Sequence, residues 1–453
     1  MKINFYKAAR LLSIVLVTLA ADSSHAQNKV VDSTGLFQVS NPKKGVAFRH
    51  DTYIAFDSKN NSYSFEMSSN DNYGYLFVKE GSKTRKVNLL PFISKVYPKT
   101  PMPTDTLFHA LGSITVDKKD RVYLIFYFYY PYEEGLKKFK ARIPLLLYSN
   151  DQAHSFTAFK LAGEPDMAFL EKKSPFETND LPPLIGFTKS TNVKVSPMAD
   201  INVFGIYEPL LDAGGALTEL RQQVVTNYSP GLAIHTGGES FASTAGNTTY
   251  IAYNEIPEKK EGNTIVILNY DRLTHKYGKQ QRIPLAIASK FPYPDAHVTP
   301  VIVTLGNGQQ HVLVGPQAGD CYDYTRKLSE DAATDTFALA ATLKGPRVYT
   351  MAMKDKDDNI YVFFSAYKPK PGLYFQKFNP QHGWGEEQLL ASPPKDFSAK
   401  TKDNYGIYYF KAAMDYSSKV YVSFTFWNTY TKDMYPRFMF QSNDRGAKWK
   451  LEQ

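Results

Sequence analysis

The stretch SITVDKKDRVYLIFY, residues 113–127, decides the fold, because its pattern returns along the chain. It consists of an apolar run, a polar turn that holds Asp, and a second run centred on an aromatic residue, Tyr123. The stretch TMAMKDKDDNIYVFF, residues 350–364, repeats this pattern around Tyr361. Apolar runs on both sides of a short polar turn are typical of a β-hairpin.

Seven copies of this hairpin pattern can be aligned, although the third is weak and carries a long insertion at about residues 161–184. The copies are centred on Tyr63, Tyr123, Val203, Tyr250, Val312, Tyr361 and Tyr421. The centres are on average about 60 residues apart. Strand-rich repeats of this length bury both faces of each sheet when the sheets pack around a central channel. We therefore predict an all-β protein, a seven-bladed β-propeller, with six blades as the alternative.

The N-terminal residues have the pattern of a secretory signal peptide. A basic start precedes an apolar run at residues 11–20, and small residues stand at Ser24 and Ala26. We predict a signal peptide at residues 1–26 and a single β-propeller domain at residues 27–453, secreted or periplasmic. No later stretch has the roughly 20 apolar residues of a membrane-spanning helix. The single cysteine, Cys321, excludes an internal disulfide, so the core must hold the fold.

The formal net charge of +9 favours an anionic ligand. Nucleic acid is not expected, because an exported protein seldom meets it, and a basic surface without a specific partner stays an open alternative. We predict a monomer. No spacing of His or Cys typical of a metal site occurs, so no cofactor is predicted, and a structural metal ion stays open.

The stretch SNDRGAKW, residues 442–449, matches the Asp-box pattern S-x-D-x-G-x-x-W, and SNDQAHSF, residues 149–156, is a degenerate copy. It predicts a tight turn between outer strands. Asp444 would accept backbone N–H groups, Gly446 would permit positive φ, and Trp449 would pack between blades. Such a turn identifies architecture rather than chemistry.

Four histidines stand at similar distances, 13 to 15 residues, before a repeat centre. In the other copies the position falls on Lys, Arg or Tyr. The members of this predicted ring are His50, His109, Lys189, His235, His297, Arg347 and Tyr408, the last with Tyr409 as an alternative. Equivalent positions of a repeat lie around the same end of the channel. One such histidine alone is usually a turn residue, whereas the set predicts a site for an acidic sugar polymer.

A family resemblance lies between residues 229 and 327, where IHTGGESF, TIVILNYDRLTHKYGKQQRIP and DAHVTPVIVTLGNGQQHVLVGPQAGDCYDYTRK occur. This region resembles the propeller polysaccharide lyases and hydrolases with sialidase-like repeats, among them ulvan lyases and enzymes acting on rhamnosyl-glucuronate linkages. The lyase pattern is a strand-start histidine with a second one about 20 residues later. His297 matches the first position and Gln317 stands at the second; His50 and Asn70 form the N-terminal copy.

The resemblance and the ring together imply an exported lyase that acts by β-elimination on a uronic-acid-containing glycan. The reaction needs a base for the C5 proton, a group that stabilises the carboxylate, and an acid for the leaving oxygen. The assigned roles are base for His297 or His109, carboxylate binding for Arg347 with Gln317, and acid for Tyr408 or Tyr322. Further substrate-binding candidates are His50, Asn70, Lys189 and Tyr130, the last as a stacking platform for a sugar ring.

Two alternatives stay open. The first is a propeller glycoside hydrolase, sialidase-like or specific for a rhamnosyl-glucuronate linkage, in which His235 would take part in catalysis. The second is a non-catalytic propeller that binds acidic glycans, which the glutamine and asparagine at the second positions favour.

Overall fold

The computed structural model describes residues 52–66, 74–97, 112–131, 140–177, 179–196, 199–230, 237–256, 263–285, 298–315, 319–328, 336–366, 371–392, 405–407, 410–424, 427–428 and 438–452. Strands dominate this part of the chain. Its helices are the short α1 (Leu90–Ser94) and the 3-10 helix η1 (Gly237–Ser240).

Consecutive antiparallel strands form the sheets. The first four sheets are β1 (Thr52–Phe56), β2 (Ser62–Glu66), β3 (Tyr75–Glu80), β4 (Lys83–Asn88); β5 (Ser113–Val116), β6 (Val122–Pro131), β7 (Lys140–Ser149), β8 (Thr157–Lys160); β9 (Met167–Leu170), β10 (Ile185–Ser196), β11 (Ala199–Leu211), β12 (Leu217–Ser229); and β13 (Ala242–Ala245), β14 (Thr248–Glu255), β15 (Thr264–Asp271), β16 (Lys276–Pro284). An eight-stranded sheet follows, with β17 (Val301–Thr304), β18 (Gln309–Val314), β19 (Gly319–Lys327), β20 (Ala338–Lys354), β21 (Ile360–Ala366), β22 (Gly372–Asn379), β23 (Gly383–Trp384) and β24 (Gln388–Ala391). The last elements are the pair β25 (Tyr405–Gly406) and β28 (Trp427–Asn428), and the four-stranded sheet β26 (Lys411–Met414), β27 (Val420–Phe424), β29 (Phe438–Ser442) and β30 (Lys450–Glu452).

The first strands of the sheets surround a central channel. Strand β1 lies beside both β5 and β26, β13 lies beside β17, and β20 lies beside both β17 and β26. This arrangement of meandering sheets around one axis is a β-propeller, and the all-β propeller prediction is confirmed.

The predicted number of blades is wrong for the described residues, which form five separate four-stranded blades rather than seven or six. The cause is β20, whose 17 residues run through two repeats. Its residues up to Arg347 pair with β19, and those from Val348 onward pair with β21. The hairpins centred on Val312 and Tyr361 therefore share one sheet. The number of sequence repeats gives the number of hairpins, but it does not show whether neighbouring hairpins belong to one sheet.

The third repeat is also displaced from its predicted register. Its first strand, β9, lies inside the stretch that the sequence treats as an insertion. The predicted centre, Val203, is on β11, the third strand of the sheet, where it pairs with Lys189 of β10. The hairpin recognised in the sequence is therefore the second of this sheet rather than the first.

A recurring aspartate explains why the hairpin pattern can be recognised in the sequence. The turns after β1, β5, β20 and β26 each hold a buried Asp that accepts two backbone N–H groups and the hydroxyl of the tyrosine six residues later. The pairs are Asp57 and Tyr63, Asp117 and Tyr123, Asp355 and Tyr361, and Asp415 and Tyr421, with oxygen–oxygen distances of 2.8–3.2 Å. The carboxylate fixes the turn while the tyrosine ring packs in the core.

The turns at residues 149–156 and 442–449 join the third and fourth strands of their sheets. In the second turn, the Ser442 hydroxyl donates to Asp444 and accepts from the Gly446 N–H, and the Trp449 ring packs 5.2 Å from that of Phe375. In the first turn, Ser149, Asp151 and Ala153 repeat these hydrogen bonds. The predicted turn geometry is present, and both turns lie at the outer strands.

Close packing between β10 and β11 gives a first testable prediction. A Cβ on Gly205 would lie 2.4 Å from the Phe187 ring and 2.6 Å from the Gln223 carbonyl oxygen. We expect Gly205→Ala to lower the free energy of unfolding by about 1–3 kcal/mol through overpacking. Gly278→Ala is the matched control, because its nearest neighbour is the Cβ of Asn269 at 3.4 Å. Urea denaturation measures both, and equal stability of the two variants would contradict this packing.

Candidate functional site

Most of the predicted site residues lie outside the described residues: His50, Asn70, His109, His235, His297, Gln317 and Tyr408. Three of them stand a few residues before a described strand. Strand β1 begins two residues after His50, β17 begins four residues after His297, and β26 begins three residues after Tyr408. All three strands border the channel. The predicted ring therefore belongs to the end of the channel at which the inner strands begin.

Lys189 does not have the position that the sequence assigned to it. It lies on β10, the second strand of its sheet, and its Nζ donates to the Gly163 carbonyl at 2.6 Å. Strand β9 separates it from the channel. The prediction that Lys189 stands before a first strand is wrong, because the displaced register of the third repeat moved the alignment by one strand.

Arg347 is buried at the point where β20 changes partners. Its Nη2 donates to the Gln376 side chain at 2.7 Å and to Glu387, and its guanidinium stacks on the Phe364 ring at 4.1 Å. Gln376 lies on β22, and Glu387 immediately precedes β24. These contacts place the guanidinium between outer strands rather than at the channel, where the ring prediction had put it.

Tyr322 and Tyr130 also lie on strands away from the inner ring. Tyr322 is on β19, which pairs with β18 and not with the inner strand β17. Tyr130 is on β6, the second strand of its sheet, opposite Ala141 of β7. The structure therefore brings neither of them to the first strands that border the channel.

A segment that the repeat pattern does not contain enters the channel instead. Residues 171–177, here called the strap, leave β9 and contact several other elements. The hydrogen bonds run from Lys172 N to Glu239 O on η1 (2.9 Å), from Lys173 N to Thr115 Oγ1 on β5 (3.0 Å), from Ser174 Oγ to Lys354 O on β20 (3.3 Å), and from Lys172 Nζ to Ala412 O on β26. The strap thus crosses the channel from one wall to the others.

The strap lies between two cavities. The larger, of about 230 Å³, is bordered by Lys172, Ser243, Thr304 and Lys354, and the smaller, of about 20 Å³, by Lys172, Phe56 and Thr115. Since Lys172 and Lys173 line both cavities, the strap divides the space inside the channel.

Lys172, Glu239 and Lys411 form a charged cluster in the channel. Glu239 lies between the two lysines, with oxygen–nitrogen distances of 3.9 Å to Lys172 and 3.6 Å to Lys411. The side chain of Lys172 is 17% exposed, whereas those of Glu239 and Lys411 are nearly buried. Lys411 is the first residue of β26 and Glu239 precedes β13, so these two lie where inner strands begin, and Lys172 reaches them from the strap that follows β9.

Lys172 is less basic in this environment than an ordinary lysine. Burial disfavours the ammonium form; Glu239 opposes this effect, Lys411 adds to it, and the net result lowers the pKa of Lys172 to about 8. A lysine with this pKa is partly neutral near physiological pH and can exchange protons.

A second ion group anchors the strap. Lys173 Nζ lies 3.0 Å from Glu171 and 3.2 Å from Glu177, and Glu171 also accepts from Thr244 Oγ1 at 2.9 Å and from Leu184 N at 2.9 Å. Burial opposes ionisation of Glu171, but the charges of Lys173 and Arg272 and the hydrogen bonds to the carboxylate together outweigh burial and hold the pKa of Glu171 below its ordinary value. Burial raises the pKa of Glu177. These ion pairs and hydrogen bonds join the strap to Thr244 of β13 and to Leu184 ahead of β10, so their role is to position the strap.

The described residues contain no group of three or more His, Cys, Asp or Glu side chains arranged to hold a metal ion. None of the helices in the described part of the chain has the length and apolar character that a membrane crossing requires.

No protein-family model matches the chain, and no curated protein matches it. Several solved structures are similar. The polysaccharide lyase Uly1 is 11% identical, with 57% of this chain and 63% of that chain covered and a TM-score of 0.37. An ulvan lyase bound to -[GlcA(1-4)Rha3S]- is 16% identical, with coverages of 49% and 55% and a TM-score of 0.39. A protein of unknown function from Dyadobacter fermentans is 11% identical, with coverages of 73% and 92% and a TM-score of 0.44.

The chain spans less than two thirds of the length of the two lyase structures. Identities and TM-scores this low carry no argument about activity. The membership of a sialidase-like repeat family therefore stays a prediction, and the propeller fold rests on the strand order itself.

The repeat pattern does not reveal the strap or its cluster. Two signals were present: Glu239 is four residues after His235 in IHTGGESF, and Lys411 is three residues after Tyr408. The third residue of the cluster, Lys172, follows an inner strand in a stretch without the repeat pattern. Only the folded chain brings Lys172 close to Glu239 and Lys411.

Proposed function

We propose that the protein is an exported β-propeller enzyme that cleaves a uronic-acid-containing glycan by β-elimination, at the end of the channel where the inner strands begin. The observation that carries this proposal is the Lys172, Glu239 and Lys411 cluster. Two cations and one carboxylate at this end form a partly buried polar site with a net positive charge, which attracts a carboxylate group.

Three sequence candidates are close along the chain to members of this cluster or to an inner strand. His235 and Tyr408 are close in sequence to Glu239 and Lys411, and His297 precedes β17. In the proposed reaction, His297 or His109 remains the base predicted from sequence and Tyr408 the acid. Arg347 is no longer assigned to the carboxylate, because its guanidinium is engaged between outer strands. The cationic role passes to Lys411.

An absorbance assay tests this proposal. Elimination from a uronate produces a conjugated double bond, so we expect near-ultraviolet absorbance to rise when the purified protein acts on ulvan-like or other glucuronate-rich glycans. A neutral glycan of the same length is the control substrate. Turnover of the neutral glycan at the same rate would contradict recognition of the carboxylate.

The same experiment separates the alternatives. Release of reducing ends without new absorbance would show a hydrolase. Saturable binding of the acidic glycan, measured by calorimetry, without either product would show a binding propeller. In both cases the elimination proposal is overturned.

A further inference from the structure

We propose that Lys172 of the strap is a catalytic residue, the base that accepts the C5 proton of the uronate. This inference rests on the proposed function and revises it in one role: Lys172, which the repeat pattern does not contain, takes the place of His297 or His109 as the base.

The position of Lys172 is the first argument. Its backbone N–H is fixed by Glu239 O and its Nζ donates to the Ala412 carbonyl on the opposite wall, so the side chain extends across the channel. It is the most exposed of the three cluster side chains, at 17% against 7% for Glu239 and 4% for Lys411. Among these three, Lys172 is therefore the one that a ligand in the channel reaches first.

The charges facing Lys172 are the second argument. Glu239 on η1 favours its ammonium form, and Lys411 on β26 disfavours it. The other titratable groups lining the two cavities are Lys173 and Glu177 on the strap, Lys354 on β20 and Tyr416 after β26. Strands β1, β5, β13 and β17 contribute no titratable side chain to these cavity walls. With burial, this environment makes the neutral amine accessible near neutral pH.

The arrangement suits the chemistry. The neutral Nζ of Lys172 takes the C5 proton and becomes an ammonium group; the electron pair of the broken C5–H bond forms the C4–C5 double bond. The C4–O bond breaks, and the leaving oxygen takes a proton from water. The adjacent ammonium group of Lys411 stabilises the charge that develops on the carboxylate. No oxidant or cofactor is required.

The first test uses Lys172→Arg, which keeps the positive charge but cannot release a proton near neutral pH. We expect the elimination rate to fall about 100-fold or more while glycan binding is retained. Lys344→Arg is the matched control, since the Lys344 side chain is 79% exposed on the half of β20 that pairs with β19. Circular dichroism and thermal unfolding check that both variants fold. If the wild type is active and Lys172→Arg has the same elimination rate, the inference is overturned and the proposed function still stands.

The second test uses the pH dependence of the rate. A base must be neutral, so the wild-type rate should rise with pH through about 8. Glu239→Gln removes the charge that favours the ammonium form and should shift this rise to lower pH. Lys411→Met removes the opposing cation and should shift it to higher pH. A purely structural role would not move the profile in opposite directions, and shifts in one direction would contradict the assignment.

A third measurement needs no substrate. Reductive methylation with ¹³C-formaldehyde followed by NMR titration should show one dimethyl-lysine signal that titrates well below the ordinary lysine value, and Lys172→Arg should remove it. If no glycan is eliminated although this signal is present, the proposed function fails and the catalytic role falls with it. If elimination occurs and the signal titrates like an ordinary lysine, only the role of Lys172 is overturned.

Discussion

Replacing Glu171 by Ala should lower the free energy of unfolding by about 3–5 kcal/mol, because it leaves a buried lysine without its principal partner. The side chains of Glu171 and Lys173 are 0% and 4% exposed, and their charged atoms are 3.0 Å apart. The substitution also removes the acceptor of the Leu184 N–H and of the Thr244 hydroxyl, two groups in the channel wall. Guanidinium denaturation followed by tryptophan fluorescence measures the change.

The matched control for this prediction is Lys119→Ala, which breaks an exposed ion pair. Lys119 and Asp180 are 2.8 Å apart, but both side chains are more than half exposed, so the loss should stay below about 1 kcal/mol. Glu171→Gln should fall between the two, since it keeps an acceptor oxygen and loses the charge. A loss below about 1 kcal/mol for Glu171→Ala would show that the strap contributes little to the channel.

The Glu171 effect should also depend on pH in a defined direction. The pKa of Glu171 is lowered in the folded protein, because burial, which raises it, is outweighed by Lys173, Arg272 and the hydrogen bonds to the carboxylate together. The ion pair therefore contributes fully above the ordinary carboxyl pKa of about 4.3 and is lost as the pH falls through the lowered value. The stability difference between wild type and Glu171→Ala should shrink over that acidic range.

The local pattern was sufficient to predict the propeller, because each hairpin encodes its own turn. Asp117 and Tyr123 form such a turn without help from distant residues, and any alignment of the repeats detects them. The joining of two repeats by β20 was not predictable in this way. Whether a strand ends between two hairpins depends on partners on both sides, here Gly319 for Arg347 and Ser365 for Val348.

The candidate site was predictable only in its general place. A repeat predicts where equivalent positions gather, and Lys411 at the start of β26 lies there. It does not predict which segment fills the channel. The contact between Lys172 and Ala412 joins residues 240 positions apart, and it depends on an insertion that breaks the repeat rather than follows it. Arg347 shows the converse, since its place in the repeat suggested a ligand but the joined sheet buries it.

The second large effect is expected from Asp355→Ala, in the turn that follows β20. The buried carboxylate accepts the backbone N–H groups of Asp357 and Asn359, both at 2.9 Å, and the Tyr361 hydroxyl at 2.8 Å. The substitution leaves these three donors without their acceptor in a closely packed turn. We expect a loss of about 3 kcal/mol in the free energy of unfolding, measured by urea denaturation.

Tyr361→Phe separates the turn from the tyrosine contact. It removes only the hydroxyl that donates to Asp355 and keeps the ring that packs 5.9 Å from Phe375, so its loss should be about 1 kcal/mol. If the two variants were equally destabilised, the backbone N–H groups would contribute nothing beyond the tyrosine. A larger loss for Asp355→Ala would instead show that the carboxylate orders the turn itself. This turn is the physical basis of the repeat from which the fold can be predicted.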